Sequence, residues 1–450
     1  MKVDLKYSGG SIIISGNVST PYGTWDPRIN AYRAMGFHYR DILNYLIESK
    51  ITFEDKVLNL SPTPEIKGSV TLYPFQQDAF DNWLRNEKRG VAIIATAGGK
   101  TFLGLKAIET LNVPAIVLVP TLDLIDQWCD RIREKLNFEA GVIGGDRNEV
   151  KFITVSTYDS AYIRAEELGN KFMLMIADEC HHIFAPGYIQ IAEMYVSPYR
   201  LGLTSTLYRP DMRHREFLHL IGGVIYEASH EQLTGKYISP YEHEKVLIEL
   251  LPEEKKKYDQ HYEVFRSYLK RNHLIMRSLN DFHKLIMRSG YDKSAREAIL
   301  ARNEAFKTAL NSETKMQFLQ ETLKKTNEKT LIFTLHNDMV YKISRRFLIP
   351  AITCQTPPKE RKEIIQKFKT GEYKAIVSSQ VLDEGVDVPD ASLGIILSGT
   401  GSQREYIQRL GRLLRKGEDK IARLIEVVSK ETTETRLSER RHRRNQDAAE

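Results

Sequence analysis

Two adjacent carboxylates, Asp178 and Glu179, follow the apolar run Phe172-Met173-Leu174-Met175-Ile176-Ala177. Upstream, the run Gly90-Val91-Ala92-Ile93-Ile94 leads into a turn that contains Gly98-Gly99-Lys100-Thr101. Both runs read as buried strands, and a helical pattern follows the second. Side by side in one parallel sheet, the two strand ends would build a nucleoside-triphosphate site. The glycine turn would offer backbone N–H groups at the positive end of a helix, where phosphate oxygens bind. Lys100 would pair with the β- and γ-phosphates, Thr101 and Asp178 would ligate Mg²⁺, and Glu179 would orient water. The strict G-x-x-x-x-G-K-T spacing is broken, because Ile94 stands at the first glycine position.

His181 and His182 directly after the carboxylates raise the question of zinc. Adjacent histidines project differently and no third ligand is spaced nearby, so His181 is expected instead to couple this site to Thr204-Ser205-Thr206. Farther on, Arg412 and Arg415 in Gln408-Arg409-Leu410-Gly411-Arg412-Leu413-Leu414-Arg415 are one helical turn apart. Two guanidiniums presented together can stabilise charge on a transferring phosphoryl group. A solvated basic helix is the plainer alternative.

The elements that must position these residues follow a clear rhythm. Residues 1–60 suggest a small module, with a hairpin about Gly9-Gly10 and a helix near Tyr39–Leu46, closed by a linker at Pro62 and Pro64. From 65 to 250, strand-like runs alternate with helical stretches, which predicts a mostly parallel sheet with helices on both faces. Residues 252–309 lose the strand signal and read as a basic helical hairpin or bundle. The alternation returns over 312–435 as a second α/β lobe, and 436–450 reads as a basic tail, with Arg436 to Arg444 a frayed basic helix or an extended end. The fold class is therefore α/β, with two parallel-sheet lobes, a small N-terminal α+β domain and a helical insertion.

The 450 residues allow about three domains. Sixty-five Lys and Arg against 59 Asp and Glu give a net charge of +6, which permits nucleic-acid binding without requiring it. Cys129, Cys180 and Cys354 have no metal or disulfide spacing, so a reducing compartment is expected. The start of the sequence lacks a signal-peptide pattern, and no run approaches the roughly 20 apolar residues of a membrane span. A cytoplasmic location is the resulting expectation.

Taken in order, these motifs resemble those of superfamily 2 helicases and translocases, and within them the XPB-like DNA repair and transcription helicases in their short archaeal form. Ala95-Thr96-Ala97-Gly98-Gly99-Lys100-Thr101 looks like motif I, Asp178-Glu179-Cys180-His181 like motif II and Thr204-Ser205-Thr206 like motif III. Val381 to Pro389 looks like motif V and Gln408 to Arg415 like motif VI. The resemblance spans about 65 to 435 and implies RecA-like lobes that use ATP and Mg²⁺. It also implies adenine recognition by Gln76 of Tyr73-Pro74-Phe75-Gln76, nucleotide contacts from Ala97, Gly98, Gly99 and Asp387, and catalytic roles for Lys100, Asp178, Glu179, Gln408, Arg412 and Arg415. DNA would run over Thr121, Ser156 and Thr157 on the first lobe and Ser379 on the second.

Softer features point within that superfamily. Trp25-Asp26-Pro27-Arg28 through Tyr39-Arg40 is similar to a small damage-sensing domain, and 252–309 matches the position of a thumb-like insertion that grips duplex. Arg209-Pro210-Asp211 stands where the family has an Arg-Glu-Asp loop implicated in DNA opening. The expected activity is an ATP-dependent 3′→5′ DNA helicase or translocase of nucleotide excision repair, working on duplex, forked or bubble DNA with a nuclease partner. Alternatives are a duplex translocase that separates no strands, and a DNA-binding scaffold with impaired ATPase. The scaffold reading rests on Ala97, which takes the first glycine place of Thr-Gly-x-Gly-Lys-Thr. If that place needs a positive φ, alanine strains the loop.

Overall fold

The computed structural model describes residues 3–16, 18–207, 211–276, 279–379, 391–399 and 421–442. Asp387, Gln408, Arg412, Arg415 and Arg209 lie outside them, together with the whole of the motif V and motif VI segments. The chain divides into two compact units, the first within Met1–Ile238 and the second beginning at Ser239.

In the first unit, β1 (Val3–Ser8) and β2 (Ser11–Ser15) form the hairpin expected about Gly9-Gly10, in the register Ser8↔Ser11 to Asp4↔Ser15. With β3 (Thr24–Asp26), β4 (Ala31–Met35) and β5 (Phe53–Lys56) they make a sheet of order β3-β4-β2-β1-β5. The helix Tyr39–Glu48 closes its core through Tyr39, Ile42 and Leu46.

The second sheet of this unit contains β6 (Arg89–Ile94), β7 (Ala115–Val119), β8 (Gly141–Gly144) and β9 (Arg147–Asn148). It is completed by β10 (Ile153–Thr157), β11 (Leu174–Asp178), β12 (Tyr199–Thr204) and β13 (Val224–Ala228). Its order is β13-β6-β12-β11-β7-β10-β8-β9, parallel except for the β8–β9 pair. Every residue of β7, β10 and β11 is buried. Crossover helices cover both faces of a parallel sheet, which is why β7 and most of β11 read as apolar runs, while β10 buries Thr154, Ser156 and Thr157 beside its apolar residues.

The small domain is docked on this sheet's N-terminal side. Phe37 lies 5.0 Å from the guanidinium of Arg89 and 5.1 Å from that of Arg200. Arg200 is fully buried, and burial lowers its pKa. It donates instead to the carbonyls of Ser197, Ala192, Leu220 and Tyr195 at 2.6–3.0 Å. An aromatic face suits a cation so enclosed. Arg40 adds an ion pair to Glu87 at 2.9 Å.

The second unit holds β14 (Tyr241–Ile248), β15 (Thr330–Phe333), β16 (Ala351–Ile352), β17 (Ala375–Ser378), β18 (Leu393–Ile396) and β19 (Ala422–Ser429). Their order is β14-β19-β18-β15-β17-β16, all parallel. The boundary expected at 250 needs correction, because β14 pairs along its whole length with β19 and so belongs to this sheet. Its charged run Glu242-His243-Glu244-Lys245 is exposed as an edge strand tends to be, and such a run gives no strand signal in sequence. The helices Pro252–Arg271, Leu279–Ser289 and Lys293–Leu310 form the expected insertion.

The start of the basic tail is helical and anchored. Thr433–His442 is a helix, tied down by Lys315, whose ammonium lies 2.7 Å from both carboxylate oxygens of Glu434. Both side chains are sealed, at 0% and 1% exposure, and Ser429 N–H donates to the same carboxylate. Breaking such a buried pair from one side costs about 3–5 kcal/mol, while replacing both partners is nearly neutral. Lys315→Met is therefore expected to lower the urea midpoint of the full chain sharply. Lys315→Met/Glu434→Leu should recover most of that loss.

Candidate nucleotide site

β6 and β11 stand one strand apart, with β12 between them, so the phosphate loop and the carboxylate pair leave the sheet on the same edge. The loop Ala95–Gly99 leads into the helix Lys100–Leu111, with Gly99 as its N-cap at φ 73°. A Cβ on Gly99 would stand 2.6 Å from Gln76 Nε2, and one on Gly98 would stand 2.6 Å from Ile94 Cγ2. Both positions therefore require glycine. Ala97 holds φ 68°, the left-handed conformation that its side chain disfavours by about 1–2 kcal/mol. The broken glycine pattern thus has a physical counterpart: the strain sits in the loop and is held there.

What holds it is Gln76. Its Nε2 donates to Gly98 O at 2.9 Å and reaches Gly99 O at 3.3 Å, while Oε1 accepts from Tyr73 N–H at 2.9 Å. The side chain is 1% exposed. The Gln76 amide, which the family resemblance assigns to adenine, braces the phosphate loop in this structure. Tyr73, Phe75 and Tyr237 cluster beside it, with Phe75 and Tyr237 ring centres 4.6 Å apart.

Asp178 is buried at the end of β11. Its Oδ2 accepts from Trp128 Nε1–H at 2.8 Å and its Oδ1 from Glu179 N–H at 3.0 Å. Tyr158 O–H donates to the Asp178 carbonyl at 2.9 Å. Burial, and next the charge of Glu179, push the Asp178 carboxyl up to about 6, against the pull of the Trp128 N–H and Lys100. Lys100 Nζ lies 3.9 Å from Glu179 Oε1 and donates to Ile94 O at 3.3 Å.

Glu179 itself has φ 48°, a second strained position beside the first carboxylate. Thr204 Oγ1 lies 3.3 Å from Glu179 Oε2, 3.2 Å from His181 Nδ1 and 2.7 Å from Thr206 O. Motif III is thus joined to motif II through one hydroxyl and one imidazole.

These residues fit a magnesium nucleotide. Thr101 in the first turn of the helix and Asp178 supply a hydroxyl and a carboxylate, the sparse protein ligation that Mg²⁺ takes when phosphates complete its shell. Among the described residues no group of three or more His, Cys, Asp or Glu is placed to hold a metal. Thr96 Oγ1 in the loop is buried without a partner, a polar atom that a bound phosphate would match.

The residues expected to contact DNA differ in how far their side chains are open. Ser156 is fully buried and its hydroxyl donates to Thr157 O. Thr157 caps the helix Tyr158–Ile163, accepting from Ser160 N–H at 3.2 Å. Ser379 is 5% exposed. Thr121 is half-buried and caps the helix Leu122–Leu136. Asp211 is exposed and accepts from Arg213 N–H at 3.2 Å. Sequence reasoning also missed Trp128 and Tyr158, whose apolar bodies pack in the core while their polar tips serve Asp178.

Two substitutions test this geometry. Ala97→Gly is expected to relieve the loop, raising the melting temperature slightly and leaving or lowering the KM for ATP. Trp128→Phe removes a donor to a buried carboxylate, worth about 1.5–3 kcal/mol, and is expected to cut ATPase kcat/KM by about tenfold or more.

Three family models match the sequence. The Type III restriction enzyme res subunit model matches residues 69–209, the helicase conserved C-terminal domain 314–417, and the Xeroderma pigmentosum group B helicase damage recognition domain 5–57. The DNA 3′-5′ translocase XPB2 of Sulfurisphaera tokodaii is 46% identical over 98% of this chain and 99% of its own. The DNA 3′-5′ helicase XPB of Mycobacterium tuberculosis is 26% identical over 79% of this chain, which spans 60% of that longer protein. The Pyrococcus furiosus Hef helicase domain superposes with a TM-score of 0.52 at 18% identity, over 81% of this chain and 97% of its own, a likeness of fold. With its RecA-like lobes, the chain belongs to the XPB-like family of superfamily 2 helicases.

Proposed function

We propose that the chain is an ATP-hydrolysing DNA motor that moves 3′→5′ and opens or remodels duplex DNA during repair. The observation that carries this is the join of loop, carboxylates and motif III at one sheet edge: Lys100 to Glu179, Glu179 to Thr204, Thr204 to His181. Its relatives at 46% and 26% identity are named for 3′-5′ translocase and helicase activity.

In this reading Lys100 and the loop N–H groups hold the β- and γ-phosphates, and Thr101 with Asp178 holds Mg²⁺. The ion, when bound, supplies positive charge against the phosphoryl oxygens. Glu179 orients the attacking water, and Thr204 with His181 fixes the Glu179 carboxylate. Arg412 and Arg415, with Gln408 and Asp387, are assigned to the same reaction from their motifs.

DNA is proposed to meet the helical insertion. Residues 270–296 contain seven Lys and Arg against two Asp, while the whole chain carries only +6. Asp292 is already occupied by Arg288, Tyr268 and the N–H groups of Ser294 and Ala295. Met287 and Tyr291 stand exposed in this basic surround, at 76% and 83%. Cations beside exposed aromatic and apolar groups suit phosphate and base together. The first-lobe strand ends would contribute mostly backbone, given how Ser156 and Thr157 are used. A nuclease partner is proposed from the family resemblance alone. A cytoplasmic setting is proposed too; among the described residues no helix is long and apolar enough to cross a membrane.

A second reading, translocation along duplex without strand separation, is favoured by the translocase name of the 46% relative. Phosphate release measured with forked DNA should fall at least a hundredfold in Lys100→Ala and Glu179→Gln; full activity in either variant would sink the site assignment. Displacement of a third strand without displacement of a duplex strand would select the second reading.

A further inference from the structure

His230 opens the short helix His230–Leu233, directly beyond the end of β13. β13 is the outer neighbour of β6, and the two leave the sheet together: Ala95 N–H, at the start of the phosphate loop, donates to Ala228 O at 3.0 Å. Leu233 comes so near that a Cβ on Gly98 would stand 3.1 Å from its methyl group. Residues 228–233 therefore form one wall of the loop.

Both ring nitrogens of His230 are sealed from solvent, and neither has a hydrogen-bond partner. Burial, and next the charge of Lys100, push its pKa down to about 4. The ring is thus neutral near pH 7, with one N–H to give and one lone pair to take. A buried polar group left unmatched costs about 1–3 kcal/mol. Such groups are rare in folded proteins, and this one lines the loop that receives a polar ligand.

We propose that His230 is a nucleotide-binding residue whose imidazole N–H hydrogen-bonds the part of the bound nucleotide that ATP and ADP share. The inference rests on the ATP-site reading above and adds a contact to it. Sheet order sets the location: in β13-β6-β12-β11, His230 and the Asp178–Glu179 pair lie on opposite sides of β6. The γ-phosphate and metal belong on the carboxylate side. His230 lies on the opposite flank, the side that sheet order leaves for the α-phosphate and ribose.

The test is calorimetric titration of the full chain with Mg·ADP and with Mg·ATPγS, for the wild type, His230→Ala and His230→Gln. His230→Ala is expected to weaken both ligands by about tenfold, with ATPase KM raised alike and kcat within about threefold of wild type. His230→Gln, which keeps an N–H, should recover part of the affinity at an unchanged melting temperature. Wild-type affinity for Mg·ADP in His230→Ala would overturn the proposal. So would a loss confined to Mg·ATPγS, which would move the contact to the γ-phosphate. Equal losses in both variants with a lowered melting temperature would reduce His230 to packing and overturn it as well. A wild type that binds neither nucleotide would instead remove the ATP-site reading itself.

Discussion

A carboxylate at the closed end of a parallel sheet has little water to solvate it, and the site is organised around that constraint. Asp178 is matched by the indole N–H of Trp128, by the backbone of Glu179 and by the nearby ammonium of Lys100. Burial, and next the charge of Glu179, still raise its pKa against that matching.

The same edge stores backbone strain on both sides of the reacting groups. Ala97 in the loop and Glu179 after the metal carboxylate are each held in left-handed conformations. Neither is held by chance. Gln76 clamps the carbonyls of Gly98 and Gly99, and Thr204 with His181 brackets the Glu179 carboxylate. Strained residues persist where their surroundings over-determine them, and such places cluster at functional sites. This gives the alanine in motif I a different meaning from damage: the loop keeps its shape although one residue would be more comfortable as glycine.

Much of this was legible in sequence, for reasons that can be named. The buried strands β6, β7 and β11 announce themselves because a doubly covered parallel strand is largely apolar, and the chemistry of β6 and β11 follows at their ends. The hairpin at Gly9-Gly10 was equally clear. β14 was not, because an exposed charged edge strand carries no apolar signal. The anchoring of the helix Thr433–His442 was hidden too, since its tie is one buried pair, Lys315 with Glu434, 119 residues apart in sequence. The backbone bonds of Ser156 and Gln76 were not legible, because residue type gives the hydroxyl or amide, while only the fold says which backbone groups it meets. His230 carries no motif at all, and only its burial beside Lys100 draws notice.

The central claim is that a phosphate loop with an alanine at φ 68° still forms a working ATP site. The most direct measurement is phosphate release by the unaltered chain with Mg·ATP, with and without forked duplex DNA. The account predicts turnover that rises several-fold when DNA is added. No release above background, with DNA or without it, would contradict the account and leave a DNA-binding scaffold in its place.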